Sequence, residues 1–436
     1  MWNALIVIVG LASLVKLCLA ARELRCQYTL FLGGAIWLRY VLSAYHEITF
    51  SPVLSGLSIN ALASMGVVGA GMLLIPKRFW MMKNLLPIYV FLFCVMISTV
   101  VSGQFVAFLG VLTKWLYLCV IALTTYLAMK RHGSQKILLF LMIPLSVPII
   151  LQLFSIALGV AKQTEGDGSI SFIGGYNHEA AFSVVVFTFM TILILLDRKS
   201  IKLQLPFVLF SIFCLVMVNY RTALLAAVPV VCIFFWEYAI SSVYKGQRVF
   251  VIILLIIVTF VFIAVVFPTF NDRFSDLSVV IKNGRELLKP DVYYSSYEQD
   301  LFSARLYIWS QYLTDFIWAN DRVLAIGFGP DFWKLTYDKY AHNTFVSYLY
   351  EFGFIGLIAF FGVLFKPVWM MVRSKATSSR NILLASHASF LILNMATMPL
   401  WQIEGIILYA ILVGYTWFYS RPLVEECRPV NLVRWT

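Results

Sequence analysis

Three side chains that lie far apart in the sequence, His342, Arg305 and Arg221, could act together on a phosphorylated substrate. A histidine that is neutral near physiological pH can accept a proton from a hydroxyl group. An arginine fork can bind two oxygens of a diphosphate and stabilise its charge as it leaves. We therefore predict that these three residues are catalytic, in a site where a hydroxyl displaces a diphosphate. The alternative for Arg221 is an interfacial anchor.

The elements that must position these residues are set by an unusually apolar composition. Of the 436 residues, 61% are hydrophobic and 12% are charged, and the mean hydropathy is +0.88. Soluble proteins carry about 25% charged residues, so this composition excludes a soluble protein. We predict an all-α, polytopic integral membrane protein of about 12–13 transmembrane helices, with a helical periplasmic cap loop.

Thirteen apolar segments are long enough to cross about 30 Å of hydrocarbon. Each is predicted to be a helix, because backbone in lipid must satisfy its own hydrogen bonds. The predicted spans are 2–20, 27–45, 54–76, 85–101, 104–129, 137–160, 180–197, 204–220, 222–242, 249–270, 343–365, 381–398 and 402–420.

Basic residues orient these spans. Twenty of the 33 Lys and Arg residues fall in alternate connections and the C-terminal tail, whereas the opposite short connections contain only Lys162 and Arg221. By the positive-inside rule the N-terminus is then outside, the C-terminus is inside, and the long loop is outside. The net charge of +12 thus indicates topology, and no nucleic-acid partner is expected. We divide the chain into N-terminal transmembrane helices (1–270), a periplasmic loop domain (271–341), and C-terminal transmembrane helices with a cytoplasmic tail (342–436).

The loop at 271–341 is predicted to fold as a small cap. It contains eight Lys and Arg, ten Asp and Glu, and fifteen aromatic residues, whereas disordered segments are poor in aromatics. Arg305, Trp309 and Tyr312 have helical spacing and would share one face of a helix over about 298–318. Aromatic faces beside polar groups are typical of a sugar-binding surface, so Trp309 and Tyr312 are candidate substrate-binding residues. An interfacial aromatic belt is the alternative, and the two are compatible.

Two cations inside spans also need an explanation. Arg39 and Lys114 would each be costly in lipid without a cavity or a partner. Each could form a structural ion pair or contact an anionic headgroup, and we include Arg39 among the substrate-binding candidates. The sequence contains no cysteine or histidine cluster with the spacing of a metal site, so no metal and no cofactor is expected.

Several of these residues resemble one known family. His342-Asn343, nine residues, then Gly353-Phe354-Ile355-Gly356 resembles the signature of the bacterial O-antigen ligase and polymerase family. Arg221 with 222–225 resembles the arginine at the outer end of a helix pair in that family, and Arg305 with Trp309 resembles the arginine helix of the cap. The segment 174–180, which contains Asn177, resembles an outer loop with weaker specificity.

The resemblance implies a membrane-embedded glycosyltransferase of the bacterial inner membrane that is independent of metal and inverts the anomeric centre. Its donor would be an undecaprenyl diphosphate-linked glycan, with His342 activating or orienting the acceptor hydroxyl and both arginines holding the departing diphosphate. Asn343 and Asn177 would bind substrate. Family members are described with twelve spans and both ends inside, so either the first helix is additional here or one predicted span is re-entrant.

The family includes two reactions. A polymerase transfers the glycan onto another lipid-linked repeat unit, and a ligase transfers it onto lipid A-core. We favour an O-antigen or exopolysaccharide polymerase, because the segment 343–357 looks more similar to polymerases, and we keep the ligase as the alternative. A flippase for lipid-linked oligosaccharide is a less favoured alternative, since the paired broken helices of transporters are not visible. Membrane lipids and, by resemblance, a chain-length regulator are the expected partners.

Overall fold

The fold is a bundle of α-helices with one two-stranded hairpin. The computed structural model describes residues 2–54, 56–162, 170–242, 244–250, 253, 257, 289–300 and 304–420. The predicted span at 249–270, the cap residues 271–288 and the tail at 421–436 lie wholly or mostly outside these described residues.

The N-terminal helices agree closely with the hydropathy pattern. They are α1 (Trp2–Leu24), α2 (Gln27–Ala44), α3 (His46–Thr49), α4 (Ile59–Leu74), α5 (Lys77–Trp80), α6 (Leu86–Ser102), α7 (Phe105–His132), α8 (Ser134–Ala157), α9 (Glu179–Leu195), α10 (Gln204–Met217) and α11 (Arg221–Ser242). The antiparallel strands β1 (Pro52–Leu54) and β2 (Leu57–Ser58) join α3 to α4, with Pro52 opposite Ser58.

The cap and the C-terminal part follow. Their helices are α12 (Ser296–Asp300), α13 (Arg305–Ile317), α14 (Asp321–Ile326), α15 (Thr344–Val372), α16 (Ser378–Asn394) and α17 (Ile403–Tyr419). Single 3-10 turns occupy Lys83–Leu85, Lys245–Gln247, Asp291–Tyr293, Phe332–Leu335 and Pro399–Trp401.

The predicted all-α polytopic membrane class is confirmed. Within the described part of the chain, six helices are long and apolar enough to cross a membrane, and four more are apolar but shorter. The six are Trp2–Leu24, Lys83–Ser102, Phe105–His132, Ser134–Ala157, Arg221–Ile240 and Thr344–Val372.

Two short helices, α9 and α17, form the centre of the bundle. Nearly every residue of both is buried by protein, as expected for helices that are apolar on all sides. The outer helices instead expose large apolar side chains, as at Ile8 and Leu73, where lipid would replace water as solvent. The bundle therefore has a protein-packed centre and an apolar perimeter.

The cap end of the bundle also contains the N-terminus. Tyr45 donates a hydrogen bond to the carbonyl of Asn3, and the Trp2 ring lies against Gly175, just before α9. The predicted cap helix over 298–318 is replaced by α12 and α13, with 301–303 outside the described residues.

The cap shares its hydrophobic core with the first part of α15. Ile308, Tyr312 and Phe316 of α13 are buried together with Ala341 and Tyr350. Because Tyr350 belongs to α15, the packing crosses the junction between the cap and the helix that follows it.

Candidate active site

His342 lies at the turn that leads from the cap into α15. Its backbone φ is 51°, in the left-handed region that non-glycine residues rarely adopt and that histidine adopts more often than most. Burial, followed by the nearby ionisable side chains of Arg305, His178 and Lys339, lowers the pKa of His342 to about 4. The imidazole is therefore neutral at physiological pH and has a nitrogen available to accept a proton.

The segment just before His342 is held by hydrogen bonds from α13. The Trp309 indole Nε1 donates to the carbonyl of Ala341 at 2.7 Å, and the Tyr312 hydroxyl donates to the carbonyl of Lys339 at 3.1 Å. Tyr312 is only 1% exposed, so its ring face is not open to a ligand. The structure thus places both predicted sugar-binding residues in a supporting position around His342.

Asn343 caps α15. Its side-chain Oδ1 accepts hydrogen bonds from the backbone N–H groups of Phe345 at 2.9 Å and Val346 at 3.2 Å. This satisfies two of the donors that a helix N-terminus otherwise leaves unpaired. The predicted substrate-binding residue therefore has a structural role, which fixes the start of the helix two residues after His342.

Replacing Asn343 by alanine is expected to lower stability by about 1 kcal/mol, the usual cost of losing an N-cap, and to reduce activity severalfold because the His342 turn loosens. Asn343→Asp keeps the acceptor oxygen and should behave as the wild type. Thermal unfolding and transfer activity of both variants would be measured. If Asn343→Asp loses as much activity as Asn343→Ala, the amide itself contacts the substrate.

The first glycine of the family signature bends α15. Gly353 has φ 65° and ψ −171°, and the rings of Phe345 and Phe361 are only 5.5 Å apart. In a straight helix those residues would be separated by about 24 Å along the axis. The expectation of one continuous span over 343–365 is therefore wrong, since the segment 344–352 folds back on the rest of α15.

Close backbone packing imposes this bend. A Cβ atom on Gly353 would lie 2.5 Å from the carbonyl of Ala325, and one on Gly327 would lie 2.2 Å from the carbonyl of Glu351. The two glycines let the end of α14 and the bend of α15 approach each other. The backbone hydrogen bond from Phe328 N–H to the carbonyl of Tyr350, at 2.9 Å, closes the contact.

Glu351 joins the cap to the bundle and was not identified from the sequence. Its carboxylate accepts hydrogen bonds from the Ser347 hydroxyl at 2.7 Å and from the backbone N–H of Asp331 at 3.1 Å. Lys114 of α7 interacts electrostatically with both Glu351 and Asp331. This favours the structural alternative for Lys114. The sequence feature that could have identified Glu351 is the position of an acidic residue inside an apolar helix, where a charge needs a partner.

Arg305 lies near enough to His342 to act on it electrostatically. Arg305 is the first residue of α13 and follows Ala304, whose φ is 64°. The Arg305 charge acts on His342 and on Tyr340, whose ring centre is 4.0 Å from that of His342. An anionic group in front of His342 would therefore meet a cation.

Arg221 begins α11 at the same end of the bundle. The preceding Asn219 has φ 56°, and the hydroxyl of Tyr220 donates to the carbonyl of Ala396 at 3.3 Å. The chain beyond Ala396 leads within five residues to Trp401, whose ring lies beside Tyr340. This segment connects the Arg221 turn with the surroundings of His342.

The two other candidates, Arg39 and Asn177, have different surroundings. Arg39 forms a bidentate ion pair with Glu404, at 3.0 and 3.2 Å, which is the structural alternative for an intramembrane cation. Asn177 is exposed, and its backbone carbonyl accepts a hydrogen bond from Lys162. The residue after Asn177, His178, is the one that acts electrostatically on His342. The sequence analysis did not identify His178, because proximity in space to His342 leaves no local pattern in the sequence.

Comparison with known families is consistent with this geometry. Residues 206–361 match the family model described as O-Antigen ligase, which confirms the resemblance over that segment. The match includes the three residues His342, Arg305 and Arg221, and it excludes Arg39 and Asn177. No curated protein matches the chain.

Proposed function

We propose that this chain, whose residues 206–361 carry the O-antigen ligase segment, is a glycosyltransferase of the bacterial inner membrane. It would transfer a glycan from undecaprenyl diphosphate onto a hydroxyl of the acceptor, with its cap in the periplasm. The observation that carries the proposal is a neutral histidine beside an arginine at the foot of the cap.

In the proposed reaction the acceptor hydroxyl oxygen attacks the anomeric carbon of the donor sugar. Its proton passes to a nitrogen of His342, and the bond between the anomeric carbon and the diphosphate oxygen breaks with its electron pair on the diphosphate. Attack from the face opposite the leaving group inverts the anomeric centre. Arg305, and Arg221 in the same proposal, stabilise the charge that develops on the diphosphate. No metal or cofactor has a role in this scheme, since diphosphate is already a good leaving group.

Of the two acceptors we propose another lipid-linked repeat unit, which makes the chain a polymerase. The similarity of 343–357 to polymerases supports this choice, whereas the ligase description of the matching family supports transfer to lipid A-core. A chain-length regulator would be a partner of the polymerase only.

The test uses purified protein in detergent with lipid-linked repeat units alone, or together with lipid A-core. We expect a ladder of polymer in the first reaction. A product that appears only with lipid A-core would identify a ligase. Absence of transfer from both, combined with movement of the lipid-linked glycan across sealed vesicles, would identify a flippase and overturn the proposal.

Arg305→Ala is expected to lower the transfer rate about 10²- to 10³-fold, as for loss of one group that stabilises transition-state charge. Arg305→Lys should recover only a small part of the rate, because an ammonium cannot replace the planar fork. Steady-state rates in detergent would be compared with those of Arg322→Ala, an exposed arginine of α14. Equal rates for Arg305→Ala and Arg322→Ala would remove Arg305 from the mechanism.

A further inference from the structure

Beside His342 is a surface of three aromatic rings, Trp333, Tyr340 and Trp401, which we call the aromatic wall. Tyr340 and Trp401 lie at an interplanar angle of 26° with centres 6.1 Å apart. Trp333 is 5.8 Å from Trp401 and 6.0 Å from Tyr340. Trp333 and Tyr340 come from the segment that leads to His342, and Trp401 comes from the turn before α17, so the fold, and not one local motif, assembles the wall.

The three residues of the wall are partly exposed. Trp333, Tyr340 and Trp401 are half-buried, whereas Tyr312 of the cap and Tyr350 of α15 are each only 1% exposed. A ligand can therefore reach part of the wall but neither of those two tyrosines.

Trp401 is held firmly in place. It ends the 3-10 turn that follows Met398, whose φ is 49°. That turn packs so closely on α17 that a Cβ atom on Gly405 would lie 2.1 Å from the carbonyl of Pro399. The Lys114 ammonium lies 5.6 Å from the centre of the Trp401 ring. A platform of this kind loses little conformational freedom when a ligand stacks on it.

Charge differs between the two ends of the wall. The His342 end has the cations of Arg305 and Lys339, which suit a diphosphate.

At the Trp401 end, Lys114 interacts with the carboxyl groups of Asp331 and Glu351 and with the amine of Lys334. These polar groups surround Lys114, whose ammonium lies against the Trp401 ring. They suit a neutral ligand rich in hydroxyl groups and disfavour the hydrocarbon chain of a lipid.

We propose that the aromatic wall is the subsite for the first sugar of the donor, the pyranose ring attached to the diphosphate. With the diphosphate at Arg305 and the anomeric carbon at His342, this sugar ring packs against the wall at Trp401. Trp401 is then a specificity-determining residue, because it recognises the sugar and not the diphosphate lipid. This inference rests on the proposed function.

The experiment compares binding of two probes to the purified full-length protein in a His342→Ala background, which prevents turnover. The probes are the native lipid-linked repeat unit, extracted from the producing cells, and undecaprenyl diphosphate without sugar. Trp401→Ala should weaken binding of the lipid-linked repeat unit about tenfold, the scale of one lost aromatic contact, and leave the affinity for undecaprenyl diphosphate unchanged. Trp401→Phe, which keeps a ring, should recover most of the lost affinity.

The matched control is Trp318→Ala. Trp318 follows α13 in the cap and is 82% exposed, so its removal should change neither affinity. Equal weakening of both probes by Trp401→Ala, or no weakening of either, would overturn the sugar subsite. The proposed function fails separately, if the protein with His342 and Trp401 intact transfers no glycan.

Discussion

Replacement of His342 by alanine should abolish glycan transfer while leaving the protein folded and in the membrane. The acceptor hydroxyl then has no base within reach, and loss of such a group commonly costs about 10²- to 10⁴-fold in rate. Product ladders and initial rates with lipid-linked repeat units would be compared with those of His132→Ala. His132 is the last residue of α7. Normal product length and yield from His342→Ala would exclude this histidine from the reaction.

The same residue gives the proposed enzyme a defined dependence on pH. Because burial and neighbouring cations lower the pKa of His342 to about 4, its base form persists well below neutrality. We expect kcat/KM, which reports ionisation of the free enzyme, to stay level from pH 7 to about pH 5 and to fall as the pH approaches 4. A fall centred near the ordinary histidine value of about 6.5 would mean that His342 is more exposed to water than its position indicates.

Gly353→Ala should have the second large effect, on folding as well as on activity. The alanine residue would have to adopt a backbone φ of 65°, and its Cβ would lie 2.5 Å from the carbonyl of Ala325. A positive φ combined with a ψ of −171° lies in a region that is essentially confined to glycine and costs other residues about 1–3 kcal/mol. The contact with the Ala325 backbone adds to this cost. We expect a clear fall in the unfolding temperature and loss of transfer.

Gly362→Ala is the matched control. It lies later in α15, and the nearest atom to its added Cβ is the Cβ of Pro87 at 4.0 Å. Alanine favours a helix over glycine by about 1 kcal/mol, so this variant should be as stable as the wild type or slightly more stable. If Gly353→Ala matched Gly362→Ala in unfolding temperature and activity, the bend would not depend on this glycine.

The helices were largely predictable because hydropathy is a local property of the chain. Twelve of the thirteen predicted spans overlap described helices, and the remaining one, 249–270, is mostly outside the described residues. The bend of α15 could not be read in the same way. Gly353 leaves the hydropathy unchanged, and its left-handed backbone follows from contact with Ala325 and Ile326, which belong to a different helix.

The candidate site was predictable in its residues and less so in their roles. Residue chemistry and the family resemblance brought His342 and Arg305 into one hypothesis, and in the structure the Arg305 charge acts on His342. The ion pair between Arg39 and Glu404 joins residues 365 positions apart, which no local pattern indicates. Tyr312 had the right spacing for a ligand-facing helix surface, but that spacing is equally typical of a core, and the structure buries it.

The shared core of the cap and α15 bears on protein engineering. Since Tyr350 packs with Ile308 and Phe316 across the junction, a chimera that grafts only the loop from a relative would separate two halves of one hydrophobic cluster. A graft that exchanges substrate preference should instead transplant 304–352 as one cassette, together with the turn at Pro399–Trp401. The segment that must be exchanged would then include the folded-back first part of α15, which precedes Gly353.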